Sequence, residues 1–196
     1  TIERMAQHFV RLLQGVAADA SVRVGALPML SAAEREQTVG KWNDTAVVYA
    51  REQTLHGLFE QQVQRDPDAV ALVHESTRLT YGELNARANR LAHRLRALGV
   101  GPDVLVGLCV ERSPEMMVAL LGVLKAGGAY VPLDPSYPRE RLTYMLADAK
   151  PAVVITQASP DPQLDTGDAA VFSFGRDDAG LEQEPDTNPA PFTLAQ

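Results

Sequence analysis

Two adjacent glycines, Gly127 and Gly128, are the feature of the sequence that could most readily bind a phosphate. Glycines let backbone amides approach an anion, but a phosphate loop follows a strand and opens a helix. This pair follows a helical pattern and precedes a strand pattern, which favours a left-handed C-terminal helix cap, with Gly128 expected at positive φ. The sequence contains no G-x-x-x-x-G-K-[ST] and no G-x-G-x-x-G. It therefore has no nucleotide-binding fingerprint of either kind.

The side chains that most often act as nucleophiles or metal ligands are few and scattered. The histidines lack the spacing of metal ligands, and none is paired with a cysteine or a second histidine: His8, His56, His74 and His93. The single cysteine, Cys109, excludes an intramolecular disulfide, and its apolar neighbours favour an inert side chain over a nucleophile. These residues supply no catalytic, cofactor-binding or metal-binding assignment.

Asp134 is the carboxylate placed best for ligand contact. It follows a short apolar run predicted to be a strand, and ligands of parallel sheets bind at the carboxyl ends of the strands. Aspartate before proline is equally typical of a turn, and Pro135 follows it. Both interpretations of Asp134 stay open from the residues alone.

The charge of the protein is unevenly distributed along the chain. The 196 residues carry a net charge of −7, and beyond Lys150 there are eight acidic residues against Arg176 alone. The first 150 residues are therefore electrically neutral, without the basic excess that a nucleic-acid-binding protein needs. A row of arginines at helical spacing, which includes Arg87 and Arg90, is best explained as the solvent-exposed side of a helix, where Glu83 can form an ion pair with Arg87.

The elements that must position these residues follow from apolar periodicity and capping signals. An amphipathic helix is predicted over Thr1 to Gly15, and a capping box at Ser31 and Glu34 predicts a short helix to about Lys41. From Thr54 the pattern becomes regular. The further predicted helices cover 54–65, 80–98, 113–126 and 138–149, and the predicted strands cover 69–73, 78–79, 104–110, 129–133, 152–156 and 171–174.

This order of elements predicts an α/β fold with β-α-β units of a mainly parallel sheet, preceded by one or two linker helices. Residues 175–196 are predicted to be loop or frayed end because they are acidic and have little periodicity. No apolar run reaches membrane-spanning length, and the first 14 residues do not resemble a secretory signal. We therefore expect a cytoplasmic protein.

Two sequence motifs resemble the first two core motifs of adenylation domains in nonribosomal peptide synthetases, members of the AMP-forming adenylate ligase superfamily. The residues similar to the first motif include Leu79, Thr80, Tyr81, Glu83 and Leu84. The residues similar to the second include Leu124, Lys125, Ala126, Gly127, Gly128, Ala129, Tyr130, Pro132, Leu133 and Asp134. The Tyr130 to Asp134 form resembles amino-acid-activating members more than acyl-coenzyme A synthetases or luciferases. The resemblance implies mainly structural roles for these residues.

The resemblance extends to the stretch before the motifs. Residues 1–15 are similar to the last helix of a condensation domain, and 16–53 are similar to the linker between a condensation and an adenylation domain. Residues 54–196 then correspond to the amino-terminal part of the adenylation domain. Within the linker we expect Trp42 to dock on the adenylation core, beside the helix that starts at Thr54, because a large apolar side chain is costly to leave in water.

The resemblance implies a ligase that forms an aminoacyl adenylate from ATP and an amino acid and then loads a carrier-protein phosphopantetheine thiol. The complete domain would use ATP and Mg²⁺, and its partners would be the rest of the domain, an upstream condensation domain and a downstream carrier domain. The family's phosphate loop, amino-acid pocket, ribose-binding acid and catalytic lysine are not in the 196 residues, which end about where that loop should begin. We therefore expect this segment alone to be inactive and to bind none of these cofactors. The alternative is a non-catalytic docking or interaction module that retains the first half of the fold.

Overall fold

The computed structural model describes residues 1–48, 53–157 and 165–192. The chain divides into two compact units, Thr1–Arg51 and Glu52–Gln196. The three-part division into 1–15, 16–53 and 54–196 stays a prediction.

The first unit is helical. Helix α1 spans Ile2–Ala18, and α2 spans Ala32–Arg35 and continues into a π-helical turn, Glu36–Gly40, and a 3-10 turn, Lys41–Asn43. The capping box at α2 is confirmed, but the helix predicted to reach Lys41 as one α-helix changes its winding after Arg35. The prediction that α1 ends at Gly15 is wrong, because the Gly15 carbonyl accepts a helical hydrogen bond from the Asp19 amide.

The second unit begins with a helix, a hairpin and a second helix. Helix α3 spans Leu55–Arg65, the antiparallel strands β1 and β2 span Val70–His74 and Thr77–Thr80, and α4 spans Tyr81–Ala97. Thr54 caps α3 as its sequence position predicts, by accepting a hydrogen bond from the Gly57 amide at 3.1 Å. The hairpin turns at Glu75, which adopts φ 52°.

Strands and helices then alternate as predicted. Strand β3 is Leu105–Cys109, α5 is Pro114–Ala126, β4 is Ala129–Pro132, α6 is Arg139–Ala149, β5 is Val153–Gln157 and β6 is Ala170–Phe174. The four strands form one sheet in the order β4-β3-β5-β6, and every pairing is parallel. The α/β fold with a mainly parallel sheet is confirmed.

The sheet is covered on both faces, because successive residues of its strands point to opposite sides. On one face, Val153 and Ile155 join the large core formed with α4 and α5. On the other face, Val154 packs with Leu142 and Leu146 of α6. All three strand residues are 0% exposed. Burial on both faces is what makes the strands read as continuous apolar runs in the sequence.

Residues 175–192 differ from the prediction of a loop or frayed end, and residues 193–196 of that prediction lie outside the described residues. Residues Asp178–Leu181 form the short helix α7, and the segment 183–192 contacts α4 and α5 through hydrogen bonds and an aromatic ring. The sequence did not indicate these contacts, because several of them use backbone carbonyls, which every residue has. Within the part of the chain that the structure describes, no helix is long and apolar enough to cross a bilayer.

Candidate functional site

The first motif forms the junction between β2 and α4. The Thr80 hydroxyl accepts a hydrogen bond from the Glu83 amide at 3.2 Å, and the Glu83 carboxylate accepts one from the Thr80 amide at 2.9 Å. The capping box predicted here is confirmed, so Glu83 serves the helix start. Leu79 and Leu84, on either side of the box, are each 3% exposed. The motif fixes where α4 begins, and Leu79 and Leu84 at the two ends of the motif are buried in the core.

Tyr81 and Gly82 attach this junction to the helix before it and to the turn that follows that helix. The Tyr81 ring contacts Phe59 of α3, with 5.6 Å between the ring centroids. The Gly82 amide donates to the Pro67 carbonyl at 2.8 Å, and a Cβ on Gly82 would lie 3.3 Å from the same oxygen. Glycine at this position therefore permits a close backbone contact between the turn after α3 and the start of α4.

The second motif begins with the C-terminal cap of α5. The interpretation of the glycine pair as a cap is confirmed, but the assignment of positive φ to Gly128 is wrong: Gly127 has φ 88°. Gly128 is required for a different reason, because its Cβ would lie 2.6 Å from Val100 Cγ1 and 3.1 Å from the Val104 carbonyl oxygen. Both glycine amides are already occupied. Gly127 donates to the Leu124 carbonyl at 3.1 Å, and Gly128 donates to the Val123 carbonyl at 3.0 Å.

Lys125 of the second motif has a fully buried side chain. Its ammonium donates to the Glu60 carboxylate of α3 and, at 3.2 Å, to Asn188 Oδ1 of the carboxyl-terminal segment. Burial lowers the pKa of Lys125, whereas the hydrogen bond and the charge of Glu60 act in the opposite direction. A buried ammonium needs such partners, since an unpaired charge in the core is strongly destabilising.

Asp134 lies just beyond β4, at the carboxyl edge of the parallel sheet. Its carboxylate accepts hydrogen bonds from the Ser136 amide at 2.9 Å and the Ser136 hydroxyl at 2.7 Å. These two bonds, followed by the more distant charge of Arg112, lower the pKa of Asp134. The turn interpretation is therefore present in the structure, and the ligand interpretation stays a prediction.

A cavity of about 500 Å³ lies at this edge. Its walls carry Leu108, Met116, Tyr130 and Leu133 together with Arg112 and Asp134. Apolar walls with a few polar side chains, at the carboxyl ends of parallel strands, are typical of ligand sites in α/β folds. This cavity is the candidate site of the second unit.

The structure joins the two motifs through the packing of α4 against α5. Ala88, Leu91 and Leu95 of α4 are 0% exposed, as are Ala119 and Val123 of α5. The Arg96 guanidinium then donates to the Lys125 carbonyl at 3.0 Å, which links the end of α4 to the end of α5.

The remaining reactive side chains have ordinary roles. Burial raises the pKa of the Cys109 thiol, and the negative charge of Asp134 adds to this, so the thiol form is favoured. His8 contacts the Glu34 carboxylate at 2.8 Å, and His93 contacts the Thr187 carbonyl at 2.9 Å. Among the described residues, no three His, Cys, Asp or Glu side chains converge as a metal site would require.

The comparison with protein families decides the identity of this arrangement. The sequence profile of AMP-binding enzymes matches residues 59–190, which contain both motifs and the whole four-stranded sheet. The chain belongs to the AMP-binding enzyme family.

Several peptide synthetases are similar to this member of the AMP-binding family. Tyrocidine synthase 3 of Brevibacillus parabrevis is 51% identical over 164 residues, which are 84% of this chain and 2% of that protein. Chondramide synthase cmdD of Chondromyces crocatus is 45% identical over 192 residues, which are 96% of this chain and 5% of that protein. The chain thus spans only a small part of the length of these relatives.

Solved structures agree with the fold. The crystal structure of the nonribosomal peptide synthetase FmoA3 (S1046A) superposes with a TM-score of 0.79 at 33% identity, covering 98% of this chain and 21% of that chain. A fatty acyl CoA synthetase of Mycobacterium tuberculosis has a TM-score of 0.63 at 27% identity, over 69% of this chain and 29% of that chain. The resemblance to the amino-terminal part of a peptide synthetase adenylation domain is confirmed.

Trp42 lies in the 3-10 turn of the first unit, and its side chain is 65% exposed. Its docking on the adenylation core stays a prediction. Sequence reasoning also missed three polar residues that contact the buried motif lysine or its neighbours: Glu60, Asn89 and Asn188. Asn89 was visible as an amide on an apolar helix face, but nothing in the sequence connected it to residues about 100 positions away.

Proposed function

We propose that this chain forms the amino-terminal scaffold of an adenylation domain that activates an amino acid with ATP in its parent synthetase. In that reaction an amino acid and ATP give aminoacyl adenylate and pyrophosphate. The acyl group then passes to the phosphopantetheine thiol of a carrier domain. The observation that carries the proposal is the packed α4–α5 unit, which unites both family motifs in a chain 51% identical to a peptide synthetase over 164 residues.

An amino acid is favoured over a fatty acid as the substrate class. The peptide synthetases found by sequence match this chain at 44–51% identity, and among the solved structures the peptide synthetase FmoA3 matches at 33% and the fatty acyl CoA synthetase at 27%. The Tyr130 to Asp134 form of the second motif supports the same choice, since it resembles amino-acid-activating members of the superfamily.

Gly127, Gly128 and Lys125 of the second motif do not fit a nucleotide triphosphate. Phosphate binding needs free backbone amides or convergent cations. The amides of Gly127 and Gly128 are engaged by helix carbonyls, and the buried ammonium of Lys125 is engaged by Glu60 and Asn188. We infer that ATP and Mg²⁺ are held by other parts of the complete domain and that this chain alone does not catalyse adenylation.

In this proposal the chain instead positions the strands that border the cavity. The parallel sheet and the α4–α5 pair hold β3 and β4 in register, with Gly107 opposite Val131 and their carboxyl ends open at the 500 Å³ cavity. A scaffold of this kind sets the geometry on which the reacting groups depend, and small misplacements cost rate steeply.

The first unit has a separate role in this proposal. Residues 16–53 would orient a condensation domain that ends with residues 1–15, and Trp42 would be the docking side chain. Replacement of Trp42 by alanine in the parent synthetase should then loosen that orientation and leave adenylation nearly unchanged.

A chimera tests the proposed function. Residues 54–196 of this chain would replace the aligned segment in the adenylation domain of a related peptide synthetase with a known amino acid. The proposal predicts amino-acid-dependent pyrophosphate exchange with the host's amino acid. A Gly180→Ala chimera is the neutral control, because a Cβ there meets no atom within 4 Å. A folded chimera without exchange would favour the alternative, a non-catalytic interaction module.

A further inference from the structure

The segment of residues 183–192, called the strap below, lies across α4 and the end of α5. Its backbone carbonyls accept hydrogen bonds from α4: Asp186 from the Asn89 amide at 2.6 Å, and Thr187 from His93 at 2.9 Å. Asn89 is 0% exposed, so these contacts supply a partner to a buried amide. The strap thus meets a hydrogen-bonding need of the helix beneath it.

One atom of the strap serves three donors. Asn188 Oδ1 accepts from Asn85 Nδ2 at 3.1 Å, from Asn89 Nδ2 at 3.0 Å and from Lys125 Nζ at 3.2 Å. All three partners are donors, so the position requires an acceptor and does not require the Asn188 amide nitrogen. A carboxylate oxygen would satisfy the same geometry.

Lys125 extends this arrangement to α3. Its buried ammonium bonds to Asn188 on the strap and to Glu60 on α3, so two segments at opposite ends of the second unit share one cation. Without either partner the ammonium would have less compensation for its lost hydration. Loss of the strap contact should therefore also weaken the packing of α3 in the second unit.

The far end of the strap is held by an aromatic contact. The Arg96 guanidinium lies 4.2 Å from the Phe192 ring centroid and also donates to the Lys125 carbonyl at 3.0 Å. The ring lies against the α5 cap, where a Cβ on Gly127 would come within 2.5 Å of it. Asp186 adds an ion pair with Arg90 at 3.5 Å.

We propose that the strap is a lock. Because Asn188 of the strap and Glu60 of α3 both bind the Lys125 ammonium, residues 183–192 and α3 pack against the rest of the second unit in one cooperative event. The lock connects α3, the first helix of the second unit, to the strap. Its opening would release both together.

Hydrogen exchange of the complete 196-residue chain tests this proposal. Asn188→Ala removes the shared acceptor, and we expect amide exchange in residues 55–65 of α3 to rise roughly threefold to tenfold, as loss of a net hydrogen bond implies. Exchange in α6, residues 139–149, should stay unchanged. Asn188→Asp should restore protection in α3 to near the original level because it keeps the acceptor.

Thr187→Ala is the matched control, since Thr187 bonds to His93 through its backbone carbonyl and its side chain is exposed. It should leave exchange in α3 unchanged. The reverse experiment is Glu60→Ala, which removes the carboxylate partner of Lys125 and should raise the rate of limited proteolysis within the strap although Glu60 lies on α3. It also tests the lock if Asn188→Ala does not fold.

Two results would overturn the lock. In the first, Asn188→Ala raises the rate of limited proteolysis within the strap but not amide exchange in α3, so that the strap opens independently of α3. In the second, α3 and α6 lose protection equally, or Asn188→Asp behaves like Asn188→Ala, so that the effect is not carried by the shared acceptor.

Discussion

Leu91 of α4 and Gly122 of α5 lie so close that a Cβ built on Gly122 would be 2.8 Å from Leu91 Cδ2 and 3.1 Å from Leu91 Cβ. Leu91 is 0% exposed, so it has little room to move. The helix pair that unites the two family motifs therefore depends on glycine at position 122 for its short separation.

Gly122→Ala should destabilise the second unit by about 1 kcal/mol, because the strain of overpacking exceeds the gain in helix propensity. The free energy of unfolding in urea measures this. Gly180→Ala, which meets open space, should be neutral or slightly stabilising. In the Leu91→Ala background, Gly122→Ala should cost less, and equal costs in both backgrounds would contradict the proposed contact.

Gly127→Ala should destabilise the protein more than Gly99→Ala. Both glycines have φ 88°, so each substitution incurs backbone strain of about 1 kcal/mol. Only at Gly127 does the new methyl group also meet the Phe192 ring. Thermal unfolding of the two variants and of Gly127→Ala with Phe192→Ala separates the two effects. If Gly99→Ala cost as much as Gly127→Ala, the ring contact would contribute nothing.

The capping box of α2 should be lost in acid. The hydrogen bonds from the Ser31 amide and side chain, and then from His8, lower the pKa of Glu34 from 4.5 to about 2. A carboxylate whose pKa is lowered by folding stabilises the folded state above the unfolded pKa, and this is lost as pH falls through the folded pKa. The Ser31 amide resonance should therefore titrate between about pH 4.5 and 2. In Glu34→Gln this titration should disappear, and its persistence would assign the titration to another group.

Cys109 should be alkylated slowly at neutral pH. Burial, and secondly the charge of Asp134, raises the pKa of the thiol, and the thiolate is the reactive form. Asp134→Asn removes the second cause, so its alkylation rate against pH should shift towards lower pH. Ser136→Ala keeps the negative charge and serves as the control. A rate profile that is the same for Asp134→Asn and the original protein would show that Asp134 has no effect on the thiol.

Local signals in the sequence were sufficient for most elements of this fold. The capping pairs Ser31 with Glu34 and Thr80 with Glu83 act within one helical turn, so the sequence alone predicts them. The parallel sheet was predictable because its central strands, β3 and β5, are apolar and buried on both faces. The glycine pair was interpreted correctly as a cap but with the wrong member at positive φ, because α5 ends at Ala126 and the first residue beyond it, Gly127, takes the left-handed conformation.

The polar contacts around Lys125 could not be predicted in the same way. Glu60 is 65 residues and Asn188 is 63 residues from Lys125 in the sequence. A lysine in an apolar helix is normally expected at the surface, and only the three-dimensional arrangement supplies the partners that allow its burial. The docking of the acidic carboxyl-terminal segment was missed for the same reason.

Amino-acid-dependent pyrophosphate exchange, measured in parallel for the 196-residue chain and for the chimera, tests the scaffold proposal most directly. The proposal predicts no exchange above background by the chain with any proteinogenic amino acid. It predicts that the chimera exchanges with the host's amino acid, within about tenfold of the host enzyme, which corresponds to a barrier change of about 1.4 kcal/mol. Exchange by the chain alone, or a folded chimera that does not exchange, would contradict it.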